Sequence, residues 1–255
     1  MIALPILLVL LHLVLVPSDA TSGSLKSEII RGHSVKPHSR PYMAFVISKT
    51  NTTSTNCGGF LVREDFVMTA AHCQGKEMFV VLGAHNIREN EQSQVIIKAK
   101  RIIPHPEYLM NEVKNDIMLL ELEKNVTLNE NIKPIPLPTT ITDLCDGTNC
   151  LASGWGIFSQ EGTKISDTLQ EASIQVVKRY CCKQKWGKVI NKKMFCTQEV
   201  GCIGDSGGPL VCNGVAHGIT SFGIEPCGFY GFPSVYTRIS EYLSWVKTVM
   251  QLERH

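Results

Sequence analysis

The chain has 255 residues, 44% of them hydrophobic and 19% charged, with a formal net charge of +2. That length provides one large domain or two small ones with ample core. The composition excludes a disordered or fibrous chain, and so small a charge excess gives no sign of a nucleic-acid partner.

Residues 2–16 form an apolar run too short to span a bilayer comfortably. Ser18-Asp19-Ala20 then supplies small residues at the spacing of a signal-peptidase site, so residues 1–20 are expected to be a signal peptide. No Lys or Arg precedes the run, and an N-terminal membrane anchor is the other reading of it. Ten cysteines behind a signal peptide read as disulfides. Sequons at Asn51 and Asn125 fit passage through the secretory pathway as glycosylation sites.

From residue 42 onward short apolar runs alternate with turn residues. YMAFVIS, GGFLV, MFVVLG, QVIIKA, DIMLLEL, SIQVV, GPLVC and GVAHGITSF are each strand-length and rich in Val, Ile and Phe. Short strands without intervening helices predict an all-β barrel or sandwich. Residues 133–149 read as a linker between two halves of similar size, about 29–135 and 150–237, because Pro134, Pro136 and Pro138 forbid a central strand. The last stretch differs: Ile239, Tyr242, Leu243, Val246, Val249 and Met250 recur at helical spacing. One C-terminal helix is expected over about 239–250, with Ser240 as a possible cap.

The chemistry concentrates in GDSGG, residues 204–208. A serine hydroxyl is a poor nucleophile until a base takes its proton. The stretch also fits the elbow of an α/β-hydrolase, but that fold needs an acid and then a histidine after the serine. Past Ser206 there is no Asp, the only histidines are His217 and His255, and the following segment reads as strand. Upstream, TAAHC places His72 beside Cys73, and NDIMLLEL places Asp116 before an apolar run.

The order His72, Asp116, Ser206 resembles that of chymotrypsin-type serine proteases. The likeness extends over IIRG at 29–32, TAAHC, DIMLL, GWG at 154–156, GDSGGP and SFG at 221–223, and so over nearly all of the chain after residue 28. KPHSRPYMAF, CGGFLV and LGAHN look most like granzymes and the granule proteases of mast cells. The resemblance implies two packed antiparallel β-barrels with the active site between them and a C-terminal helix.

It also implies roles. His72 is the general base and Asp116 its buried partner, with Ser221 hydrogen-bonded to Asp116. Backbone N–H groups of Gly204 and Ser206 form the oxyanion hole. Cleavage after Glu28 removes a propeptide, residues 21–28, and frees an Ile29 ammonium that pairs with Asp205, since a buried carboxylate needs a partner. The primary pocket is floored by Val200 and Gly201 and walled by Ser221, Phe222, Gly223 and Ser234. None of the expected floor or wall residues is charged, which implies cleavage after Leu, Met or Phe. The shortness of TQEVG, residues 197–201, would let the floor slip by a residue and bring Glu199 nearer.

Family likeness further implies the bridges Cys57–Cys73, Cys150–Cys212, Cys182–Cys196 and Cys202–Cys227. Cys145 and Cys181 are left over, to pair with each other, pair between chains or stay free. The cysteine spacings do not suit zinc, Gly83-Ala84 lacks a calcium-binding carboxylate, and neither metal nor cofactor is expected. Lys178, Arg179, Lys183, Lys185, Lys188, Lys192 and Lys193 form a basic cluster without an acid among them. It is either a solvated loop or, as in granule relatives, a site for sulfated glycosaminoglycan. Serpin-type inhibitors are expected partners by the same likeness. Two functions are set against each other: an active endopeptidase of the secretory pathway or granule, and an inactive relative that binds glycosaminoglycan or membranes.

Overall fold

The computed structural model describes residues 32–156, 165–198, 206–223 and 232–251. A short strand β1 (Gly32–Ser34) comes first. Then follow β2 (Met43–Lys49), β3 (Ser54–Arg63), β4 (Phe66–Thr69), β5 (Glu77–Leu82), β6 (Val95–Pro104) and β7 (Met118–Leu122). These six close into an antiparallel barrel in the order β2-β3-β4-β7-β6-β5. The remaining strands are β8 (Asn149–Gly154), β9 (Gln170–Val177), β10 (Met194–Thr197), β11 (Pro209–Cys212), β12 (Val215–Phe222) and β13 (Ser234–Arg238). They run β9-β10-β13-β12-β11-β8, and pairing of β8 with β9 closes the second barrel.

The Val, Ile, Phe, Leu and Met side chains of the strands fill the interiors. Phe60, Phe66, Met68, Leu82 and Leu119 are wholly buried in the first barrel. Val211, Ala216 and Ile219 of the second barrel join the same cluster, so the halves share core. The chain ends cross over. β1 pairs with β9 of the second barrel. The C-terminal helix packs on the first, with Val246 buried in its core and Arg63 donating to the Met250 carbonyl at 2.7 Å. Between the halves the proline-rich linker forms no named strand.

Two expectations need correction. The C-terminal helix begins as a 3₁₀ turn (Ile239–Tyr242) and becomes α-helical only over Leu243–Gln251, here α2. Ser240 lies buried within that turn and caps nothing; its hydroxyl donates to the Thr142 carbonyl of the linker. A second helix, α1 (Arg179–Trp186), occupies the lysine-rich stretch that reads as loop. Arg, Lys and Gln are good helix formers. Cys182 and Trp186, four apart, turn one face inward onto a small cluster with Ile190, Met194 and Val235. Lys183 and Lys185 lie in the last turn, where positive charge is favourable, and Gly187 ends the helix at φ 65°.

Cys57–Cys73 staples the first barrel; Cys150–Cys212 and Cys182–Cys196 staple the second. Among the described residues no disulfide crosses between them. Cys145 and Cys181 are free and exposed, and the expected Cys202–Cys227 bridge lies outside the described residues.

Candidate active site

His72 sits in a 3₁₀ turn (Ala71–Cys73) that follows β4 directly. Its neighbours Ala71 and Cys73 are buried, and Cys73 is bonded to β3 through Cys57. The turn is thus pinned on both sides while the imidazole keeps 29% of its surface open to solvent. Asp116 stands at the entrance of β7 with a carboxylate fully withdrawn from water.

That buried carboxylate is well supplied with donors. Oδ1 accepts from the His72 backbone N–H at 2.9 Å. Oδ2 lies 2.8 Å from His72 Nδ1 and accepts from Ser221 Oγ at 2.5 Å. The Asp116 carbonyl accepts from Thr237 Oγ1 at 2.8 Å. Two of these donors, Ser221 on β12 and Thr237 on β13, come from the opposite barrel. A buried charge without partners would cost several kcal/mol, and here each oxygen is bonded.

Ser206 opens the turn before β11. Its carbonyl accepts from Gly58 N of β3 at 2.8 Å and lies 3.6 Å from Sγ of Cys73, the residue after His72. Gly207 follows at φ 86°, where a Cβ would meet Thr69 Oγ1 at 2.2 Å and the Gly58 carbonyl at 2.6 Å. Only glycine tolerates both that backbone and that approach. The serine of the second barrel is therefore pressed against the two strands that carry the histidine of the first. Cys57, His72 and Cys73 bring three residues of metal-ligating type together, but both sulfurs are spent in the disulfide and offer no thiolate.

The wall residues also come together. Phe222 on β12 pairs in register with Val235, next to Ser234 at the start of β13. Gly223 is exposed, and a Cβ there would meet nothing within 4 Å. Behind this wall stands Trp186, which the sequence reading passed over. Its ring packs edge-on against Phe222 at 5.1 Å and Phe232 at 5.4 Å, and its N–H donates to the Pro233 carbonyl at 2.8 Å. The signal for it was present: a tryptophan within the loop closed by Cys182 and Cys196. Ile29, Val200, Gly201, Gly204 and Asp205 lie outside the described residues.

A model of the trypsin family matches residues 29–246. The chain belongs to the trypsin family. It is a chymotrypsin-like serine protease in kind: human cathepsin G is 44% identical over 249 residues, spanning 96% of this chain and 94% of that one. Granzyme B(G,H) of Mus musculus is 42% identical, spanning 94% and 98%. The solved structure of GrC superposes with a TM-score of 0.81 at 39% identity, spanning 88% of this chain and all of that one.

Against this family background the basic cluster divides. Arg179 is taken up by Asp143 at 2.8 Å, and Lys193 donates to Asn115 at 2.7 Å and is half-buried. Lys178, whose ammonium lies 3.9 Å from the exposed Asp146 carboxylate, and Lys183, Lys185, Lys188 and Lys192 are exposed on and beside α1. No helix among the described residues is long and apolar enough to cross a membrane.

Proposed function

We propose that this protein is a secreted or granule-stored endopeptidase that cuts peptide bonds through an acyl-enzyme on Ser206. The observation that carries the reading is the hydrogen-bonded line from Ser221 to Asp116 to His72, with Ser206 held against the same strands. Asp116 fixes the tautomer of His72 and stabilises its imidazolium. His72 takes the Ser206 proton and later returns it to the leaving amine. Gly204 and Ser206 supply the oxyanion N–H donors, each worth ~10²–10³ in rate in such sites. Protein beginning at Ile29 should be labelled by a fluorophosphonate at Ser206. Failure to label would leave the inactive, ligand-binding reading in its place.

Specificity follows from the pocket wall. Phe222, backed by Trp186, and uncharged Ser234 support an apolar primary pocket. A Lys or Arg side chain would enter without an ion-pair partner, at a cost of several kcal/mol. Peptides differing only before the scissile bond should be cut after Leu, Met or Phe. If Lys or Arg gave the higher kcat/KM, the floor would have to include Glu199, the next residue to mutate.

The five exposed lysines around α1 form the second proposed surface, for sulfated glycosaminoglycan. One helix and the turn after it carry three of them and the other two flank these elements, a denser array than the overall charge implies. The protein should elute from immobilised heparin above physiological salt, and changing these lysines to Ala should bring elution below it. Elution unchanged by the substitutions would remove this surface.

A further inference from the structure

We propose that Lys193 is a positioning residue for the catalytic aspartate, acting across the seam between the barrels through Asn115. The inference rests on the role of Asp116 given above.

Asn115 precedes Asp116 and is left-handed, at φ 54°. Asn tolerates this conformation better than most residues, but at some cost, and its surroundings must hold it there. Its side chain is held by three contacts. The amide N–H donates to the Glu107 carbonyl at 2.8 Å. The amide oxygen accepts from Lys193 Nζ at 2.7 Å and from the Tyr242 hydroxyl at 3.2 Å. The first partner belongs to the same loop. The other two come from elsewhere, Tyr242 from the C-terminal 3₁₀ turn and Lys193 from the second barrel.

Lys193 is itself aimed. It sits just before β10, with its backbone N–H donating to Asn191 Oδ1 at 2.8 Å and its carbonyl accepting from Arg238 N at 2.9 Å. Its ammonium lies 5.1 Å from the centre of the Tyr242 ring, a favourable cation–π placement. His105, just after β6, closes the group against Tyr242 at 5.2 Å and Trp245 at 5.1 Å. Burial, with the negative Asp116 behind it, pushes the Tyr242 hydroxyl upward, so it stays a proton donor. The bond from Lys193 is the charge-assisted one, and such bonds are roughly twice as strong as neutral ones.

The consequence is orientational. The peptide between Asn115 and Asp116 sets where the Asp116 carboxylate leaves the backbone. Without the ammonium, Asn115 keeps one neutral donor on its oxygen and can relax from the left-handed region. Displacement of a catalytic group by about 1 Å can cost ~10² in rate. Lys193 touches neither His72 nor substrate, so the loss should fall on kcat and not on KM.

The test uses protein beginning at Ile29, with active sites titrated by fluorophosphonate so that misfolded molecules are not counted. Lys193→Met should lower kcat per titrated site about ten- to a hundredfold, with KM within about twofold. Asn115→Ala, which also removes the contacts to Glu107 and Tyr242, should lose at least as much, and the double variant should be no worse than Asn115→Ala alone, because Lys193 acts through Asn115. Lys193→Arg, which keeps a cationic donor, should recover most of the rate. A Lys193→Met enzyme with parental kcat per site would overturn the proposal, whatever its melting temperature. Should that variant yield no titratable sites, Lys193→Gln is read by the same criterion. An inactive parent would instead overturn the catalytic reading, and the positioning role with it.

Discussion

Changing Asp116 to Asn is expected to lower kcat about 10⁴-fold, the magnitude known for a triad histidine held in the wrong tautomer. Asp116 offers only acceptors: to the His72 backbone N–H, to His72 Nδ1 and to Ser221 Oγ. An amide of the same shape must present an NH₂ group on one side. If its oxygen stays with the His72 backbone N–H, the NH₂ faces His72 Nδ1 and the Ser221 hydroxyl. Nδ1 then becomes an acceptor, the ring proton moves to Nε2, and the nitrogen that should receive the Ser206 proton is already occupied. KM should change little, since Asp116 is wholly buried and meets no substrate. A variant retaining a tenth of the parental kcat would refute this assignment.

The second large effect concerns the start of the chain. Protein beginning at Thr21 should turn over peptide at least ~10²–10³ more slowly than protein beginning at Ile29, the loss expected from one missing oxyanion donor. The argument is chemical. Asp205 adjoins Ser206 and cannot also be its base, since neighbouring side chains point apart. A carboxylate buried there would need a cation, and the proposed one is the α-ammonium of Ile29 that cleavage after Glu28 would create. Equal turnover by the two forms would refute the activation mechanism.

The residues proposed as catalytic were legible because each sits in a short motif whose neighbours have distinct tasks. Cys73 beside His72 staples the turn, and Gly207 after Ser206 permits the close approach to Thr69. Both tasks are local and leave local marks. The long alternating strands were legible for the same reason. Three strands of the second barrel were not. Asn149–Gly154 is built of small residues, and Met194–Thr197 and Ser234–Arg238 are too short for a period to show. α1 hid behind its lysines, because only Cys182 and Trp186 mark its inward face. Least legible were the ties across the seam. Thr237 and Lys193 act through partners far away in sequence, and nothing in their own surroundings announces the pairing.

The placement of the covalent staples has a further consequence. Each barrel is locked within itself, yet among the described residues only the linker joins the two covalently. What holds them in alignment is non-covalent: a shared apolar core, the crossed chain ends, the Arg40–Glu171 ion pair and hydrogen bonds such as Gly58 to Ser206 and Thr237 to Asp116. Heat should part the halves before it melts either one. Peptide turnover would then fade while most of the strand signal in circular dichroism persists, so the working lifetime of the molecule is that of its weakest join.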